Sequence, residues 1–140
     1  MADTFDIEIA TPERLLAREK AVRAQIPAKD GFIGVLPDHA ALLSELGIGA
    51  LTYTTPGDQL FSIAISGGFL EILDNVVRVL SDVAEKGQEI DVSRAEKALK
   101  RAQDAIVNPA LGIDIASALI ASRRAHARID AARKAANREE

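Results

Sequence analysis

The feature that most constrains this chain is a change of hydrophobic period near residue 90. Before it, apolar and polar residues alternate, as in Phe5-Asp6-Ile7-Glu8-Ile9. That is the two-residue period of a half-buried strand. After it, Val92, Ala95, Leu99, Ala102 and Ile106 recur at spacings of 3, 4, 3 and 4, the stripe of an amphipathic helix. One period cannot serve both geometries. The expected architecture is α+β: an all-β sandwich or barrel over residues 1–88, followed by an antiparallel two-helix hairpin over residues 89–140.

The β half is punctuated at short intervals. Ala21-Val22-Arg23-Ala24-Gln25-Ile26, Leu60-Phe61-Ser62-Ile63-Ala64-Ile65 and Asn75-Val76-Val77-Arg78-Val79-Leu80 continue the alternating, β-branched style that suits a pleated surface. Thr11-Pro12, Lys29-Asp30-Gly31, Thr55-Pro56-Gly57-Asp58 and Leu73-Asp74-Asn75 fall between them as turn formers. Every aromatic residue (Phe5, Phe32, Tyr53, Phe61, Phe69) lies in this half, so the larger core is expected here.

In the helical half, Asn108-Pro109 and Gly112 interrupt the stripe, since proline cannot continue the hydrogen-bond ladder. A second stripe follows through Ile115, Ala118, Ser122, Ala125, Ile129, Ala132 and Ala136. Asp91 and Asp114 stand where N-caps belong, their carboxylates placed to accept from amides of the first turn. Alanine buries little area, and at roughly 25 cal/mol per Å² an alanine-rich seam is held by only a few kcal/mol. Such a hairpin is expected to detach and extend.

Composition excludes several classes. Hydrophobic residues make up 48% and charged residues 27% of the 140-residue chain, the balance of a folded globular protein. There is no cysteine, hence no disulfide framework or thiolate chemistry, and His39 and His126 are too few for a histidine metal cluster. No metal is expected. The N-terminal stretch carries acids where a targeting peptide carries bases, and no apolar run reaches a membrane span. Residues 1–90 hold 14 acidic and 7 basic side chains, whereas residues 91–140 hold 7 and 10, so the two modules face electrostatically different partners. Phosphate-loop, dinucleotide, zinc-protease and serine-hydrolase motifs are absent, and no catalytic residue is expected. Overall acidity and the lack of aromatics in the hairpin argue against nucleic acid.

Two β segments carry more than fold information. Gly31-Phe32-Ile33-Gly34-Val35-Leu36-Pro37-Asp38-His39-Ala40-Ala41-Leu42-Leu43 and Ile65-Ser66-Gly67-Gly68-Phe69-Leu70-Glu71-Ile72 couple closely spaced glycines to short apolar runs, as where strands meet at tight bends. Ile90-Asp91-Val92-Ser93-Arg94-Ala95 follows downstream. Together these stretches resemble the epsilon subunit of bacterial F-type rotary ATP synthases. That family carries Gly-x-x-Gly-(apolar)-x-Pro-Gly-His, then Ser-Gly-Gly-(apolar)-(apolar)-Glu, then a hairpin opening with Ile/Leu-Asp-x-x-Arg-Ala. The resemblance spans almost the whole chain. Asp38 departs from it where glycine is usual, and Ala41 where proline is usual.

On the residues alone, the first segment is structural: Gly31 and Gly34 permit bends and Pro37 ends a strand. The resemblance implies more, namely that this edge meets the c-subunit ring and the gamma subunit of the central stalk. Asp30, Phe32, Asp38 and His39 then become contact residues, with Phe69 and Leu70 on a stalk-facing patch. Ser66-Gly67-Gly68-Phe69 otherwise reads as a β-bulge or a close backbone approach. In the hairpin, Arg94 and Arg101 are seven apart and share one face of the first helix, and Arg124 and Arg128 are four apart on the second. If the hairpin closes in register, four guanidiniums converge, an arrangement that calls for an anion between them. The resemblance implies ATP there, with adenine beside Ile90, Asp91 and Ala95, Glu85 near the nucleotide, and the arginines on the phosphates. The simpler reading is that Asp91 only caps a helix and the arginines form a solvated face.

The function implied is a non-catalytic central-stalk subunit of a proton-translocating ATP synthase. It couples ring to stalk and inhibits ATP hydrolysis through a mobile hairpin whose extended second helix reaches the alpha/beta catalytic head. No cofactor is required, ATP serving only as a regulatory ligand. The expected location is the cytoplasmic face of a bacterial inner membrane, without direct insertion. The alternative is a free-standing nucleotide-binding sensor or adaptor, which co-purification with stalk and catalytic chains separates from a rotary subunit.

Overall fold

Alternation decides the first strand: Phe5, Ile7 and Ile9 of β1 (Phe5–Ala10) are buried while Asp6 and Glu8 turn outward. The computed structural model describes residues 2–108 and 114–137. β2 (Leu15–Ala21), β3 (Arg23–Ala28), β4 (Gly31–Val35), β5 (Leu42–Glu45), β6 (Ile48–Thr54), β7 (Leu60–Leu73) and β8 (Val76–Lys86) complete a β-sandwich. The strands run in the order β2-β1-β8-β7-β6-β3-β4, with β5 also on β7. β1 and β8 are parallel and the remaining pairs antiparallel. Phe5, Ile7, Ile26, Leu51, Ile65, Leu70, Ile72 and Val79 lie at the heart of one apolar core.

β7 is long enough to serve both layers. It pairs with β6 as far as Ser66 and with β5 from Phe69 onward. The changeover falls at Gly67 and Gly68, whose φ values of 73° and 112° disfavour any residue with a Cβ. Gly67 N–H donates to Gly47 O at 3.1 Å and Leu46 N–H to Gly68 O at 2.9 Å, which carries the ladder across the corner. The β7–β8 register is the same on both sides, Ser66 opposite Val83 and Gly68 opposite Ser81, so no bulge is inserted. Of the two expectations for this segment, close backbone approach is the one realised.

One local expectation is corrected, and one strand had no sequence signal. The stretch Ala21–Ile26 is not one strand: β2 ends at Ala21 and β3 begins at Arg23, with Val22 N–H turned to Thr54 O at 2.8 Å. The charges of Arg18, Glu19 and Lys20 concealed β2, yet they suit an edge strand. Lys20 pairs with Asp6 at 2.7 Å and Arg18 with Glu8 at 3.2 Å across the ladder.

A single 3-10 turn, Gly87–Glu89, leads into α1 (Val92–Val107) and then α2 (Ile115–Asn137). Both expected caps form: Asp91 Oδ1 accepts from Arg94 N–H at 3.1 Å, and Asp114 Oδ2 from Ser117 N–H at 3.2 Å. Pro109 and Gly112, the expected breakers, lie outside the described residues. α2 occupies the inner position, packed on β6, β7 and the 3-10 turn, while α1 packs on α2.

The 3-10 turn is also tied to the connection between β1 and β2. Arg14 donates from Nη1 and Nη2 to the two Glu89 carboxylate oxygens at 3.3 and 2.8 Å. This hydrogen bonding, with the attraction of the guanidinium, holds the Glu89 carboxyl below the ordinary glutamate range. A depressed carboxylate adds stability above its unfolded value and loses it as pH falls through its folded value. Glu89→Gln is therefore expected to lower stability slightly at neutral pH, to leave it unchanged at the most acid pH, and so to flatten the slope of the profile just below the ordinary glutamate range. Urea midpoints measured across that range check this. The pair is exposed and screened, so the effect is small.

Candidate functional site: the docked hairpin and the outer sheet face

α2 meets the sandwich through small side chains. Ala127 and Ala131 pack on Ala50 and Ala64, with Ile48 and Ile90 at the margin. Four methyl groups at about 0.8 kcal/mol each contribute roughly 3 kcal/mol, the weak seam expected from composition. Polar contacts flank it. Ser62 Oγ donates to Ala131 O at 2.5 Å, Arg124 Nε to Ser66 Oγ at 3.0 Å, and Arg128 Nε to Glu85 Oε1 at 3.0 Å. Beside this seam lies a cavity of about 260 Å³ lined by Ser66, Val83, Arg124, Ala127 and Arg128.

The proposed nucleotide residues are thus only partly assembled. Glu85, Arg124 and Arg128 lie together, with Ile90 on the margin of the same seam. Arg94 and Arg101 sit exposed on the outer helix and do not line the cavity, so this arrangement gathers two of the four arginines. The physical reason is the order of layers: α2 separates α1 from the sheet. Asp91 is engaged as an N-cap, and Ala95 is 1% exposed, buried on α1. Ser62 and Ser66, absent from the expected set, join Glu85 as polar contacts of the sheet with α2.

The loop candidates divide likewise. Asp30 is exposed at the turn between β3 and β4. Phe32 is 56% exposed but leans over Gly49, where its Cζ lies 3.2 Å from the place a Cβ would take. It borders a cavity shared with Arg123, His126 and Arg133 of α2. Asp38 has φ 63°, which accounts for the glycine usual at this position. Its Oδ2 accepts from Ala2 N–H at 2.8 Å, and its own N–H donates to Asn75 Oδ1 at 2.8 Å. His39 Nδ1 donates to Ala40 O at 2.7 Å. Phe69 is 56% exposed, whereas Leu70 is 0% exposed and belongs to the core. Leu70 is therefore removed from the contact set: adjacent residues of a strand face opposite ways, and Phe69 takes the outward one.

Strand register extends the patch that Phe69 begins. Phe69 lies opposite Leu80, Leu80 beside Ala10, and Ala10 opposite Leu15, giving an apolar row across four strands. Leu80 and Leu15 are 57% and 52% exposed. The adjoining row, Glu71, Arg78, Glu8 and Arg18, is interlocked by three ion pairs of 3.1 to 3.3 Å. Its charges are satisfied within the face, whereas the apolar row beside it is open to a partner.

Comparison with known proteins follows this two-module plan. Residues 4–87 match the β-sandwich domain of the ATP synthase delta/epsilon chain, and residues 88–133 match its long α-helix domain. The chain belongs to the ATP synthase delta/epsilon chain family. An ATP synthase epsilon chain of Solibacter usitatus is 54% identical over 134 residues, covering 96% of this chain and 99% of that one. Another, from Desulfitobacterium hafniense, is 43% identical over 133 residues, covering 95% and 99%. A chain in the cryo-EM structure of the Euglena gracilis mitochondrial ATP synthase superposes with a TM-score of 0.81 at 25% identity, over 94% of this chain and 82% of that one. Delta/epsilon membership makes this a stalk subunit of the synthase rather than a catalytic one, and leaves the free-standing sensor without support. Among the described residues no helix is long and apolar enough to cross a membrane.

Proposed function

We propose that this chain couples the c-subunit ring to the gamma subunit during proton-driven ATP synthesis and restrains ATP hydrolysis through its hairpin. The observation that carries the regulatory half is the seam under α2, four alanines and a few polar contacts, which is weak enough to open at modest cost. Docked on the sandwich, the hairpin leaves rotation free; extended, its second helix reaches the alpha/beta head and obstructs rotation. The apolar row from Phe69 to Leu15 supports docking on the gamma subunit, and the edge carrying Asp30, Phe32 and His39 supports a contact with the ring. The complex then sits at the cytoplasmic face of a bacterial inner membrane.

ATP is the proposed regulatory ligand. Arg124 and Arg128 beside an open cavity supply guanidinium forks for phosphate oxygens, with Glu85 and Ile90 adjacent. A ligand shifts this equilibrium only through unequal affinity for the two states, and a site built between α2 and the sheet exists only when they are docked.

The test is a chain ending at Ile90, reconstituted into the complex. Assembly is expected to persist while ATP hydrolysis rises several-fold; loss of assembly would make the hairpin structural. In parallel, calorimetry of the isolated chain is expected to show ATP binding that disappears in the Arg124→Ala, Arg128→Ala variant. Heats indistinguishable from buffer up to millimolar ATP would reject the nucleotide half alone.

A further inference from the structure

Gly87 is a glycine whose backbone does not require one. It lies outside the left-handed region that accounts for Gly31, Gly67 and Gly68, and it stands in a 3-10 turn, where glycine is the more costly choice. Space is what it supplies. A Cβ at position 87 would lie 2.4 Å from Ala131 O and 2.7 Å from Ser62 Oγ, both far inside van der Waals contact. Ala131 is 0% exposed, in the inner face of α2, and its carbonyl is the one to which Ser62 donates. Three segments therefore meet here at backbone distance: the 3-10 turn, the start of β7 and the C-terminal half of α2.

We propose that Gly87, Ser62 and Ala131 form a clasp that decides whether α2 is docked, independently of the arginine groove. The notch at Gly87 lets the helix backbone close on the 3-10 turn, and the Ser62 hydroxyl fixes the depth and register at which it stops. Neighbouring contacts tolerate small displacement. The alanine seam is smooth, and the Arg124 and Arg128 side chains are long enough to follow a shifted helix. The clasp is not tolerant, since one of its members is a helix carbonyl and another a backbone without a side chain. Gly87 and Ser62 are thus positioning residues for the docked state. This inference rests on the reading that hairpin position is the regulated variable.

The full chain contains no native cysteine, so a single reporter thiol can follow docking. Ala64→Cys places it on β7 beneath α2, where the residue is 7% exposed. Its alkylation rate then measures how often the helix leaves. Adding Gly87→Ala is expected to raise that rate at least about tenfold, the equivalent of ~1.4 kcal/mol. Ser62→Ala, which removes only the hydroxyl, is expected to raise it about fivefold, in line with a net hydrogen-bond contribution near 1 kcal/mol. Amide exchange in β1 and β8 is expected to stay unchanged in both variants. A rate within twofold of the parent for Gly87→Ala would overturn the clasp. A rise accompanied by equal loss of protection in β1 and β8 would overturn it too, by assigning the effect to the sandwich. If Gly87→Ala frees the helix while ATP hydrolysis by the complex is unaffected, the clasp stands and the inhibitory reading fails.

Discussion

Gly68→Ala is expected to be the most damaging single methyl that can be added to the sandwich. A Cβ there would stand 2.0 Å from Leu80 O, 2.8 Å from Ser81 Cα and 3.0 Å from Leu80 C, all backbone atoms of the adjacent strand. None is the end of a flexible side chain that can swing away, so β7 and β8 must separate at their closest point. Position 68 also has φ 112°, which an L-residue adopts only under strain. Overpacking of this kind costs about 1–3 kcal/mol and a disfavoured backbone about 1–3 kcal/mol more. A loss near 4 kcal/mol is a large share of a typical domain's 5–15 kcal/mol. It corresponds to roughly a 15 °C fall in melting temperature for a chain of this size. Thermal unfolding by circular dichroism measures it directly. A shift of only a few degrees would show that the strands part easily and that the corner at Gly67 and Gly68 is not a fixed point of the fold.

That corner marks the boundary between what local pattern reveals and what it does not. The change of period, the turn formers and the caps at Asp91 and Asp114 depend on neighbours in sequence, and the structure follows them. The glycine pair promised a bulge or a close approach, and only the register across β7 and β8 decides between these. β2 was obscured because its charges suit an exposed edge, where ion pairing replaces burial as the outward signal. Leu70 shows the reverse case. Simple alternation already places it opposite Phe69, and treating both as one surface patch set that period aside. The arginines divide for a tertiary reason: helical spacing says which residues share a face, but not which helix lies innermost. With α2 inside, Arg124 and Arg128 reach Ser66 and Glu85, while Arg94 and Arg101 ride on the outer helix. Gly87 and Ser62 had no sequence signal of their own, since their partner Ala131 lies more than forty residues away.

The outer sheet face carries the other large effect. Phe69→Asp with Leu80→Asp is expected to weaken association with the rest of the synthase by about 2–4 kcal/mol, roughly 30- to 1000-fold in Kd. Two apolar side chains at the middle of the row are lost, and two carboxylates must be desolvated beside cations of this face that are already paired. The neighbouring cations, Arg78 and Arg18, are already engaged with Glu71 and Glu8. The sandwich itself should hardly notice, because both side chains are more than half exposed and outside the core. Exposed substitutions of this kind usually stay within about 0.5 kcal/mol. Melting temperature of the isolated chain and its recovery with the complex therefore separate folding from docking. Normal recovery of a normally folded double variant would remove the apolar row from the interface and transfer docking to the edge around Phe32 and His39. Failure to assemble at unchanged stability would instead locate the central-stalk contact on β7 and β8, the strands on which α2 does not depend for its alanine seam except at Ala64. Docking and hairpin release would then act through opposite ends of β7, with Gly67 and Gly68 between them.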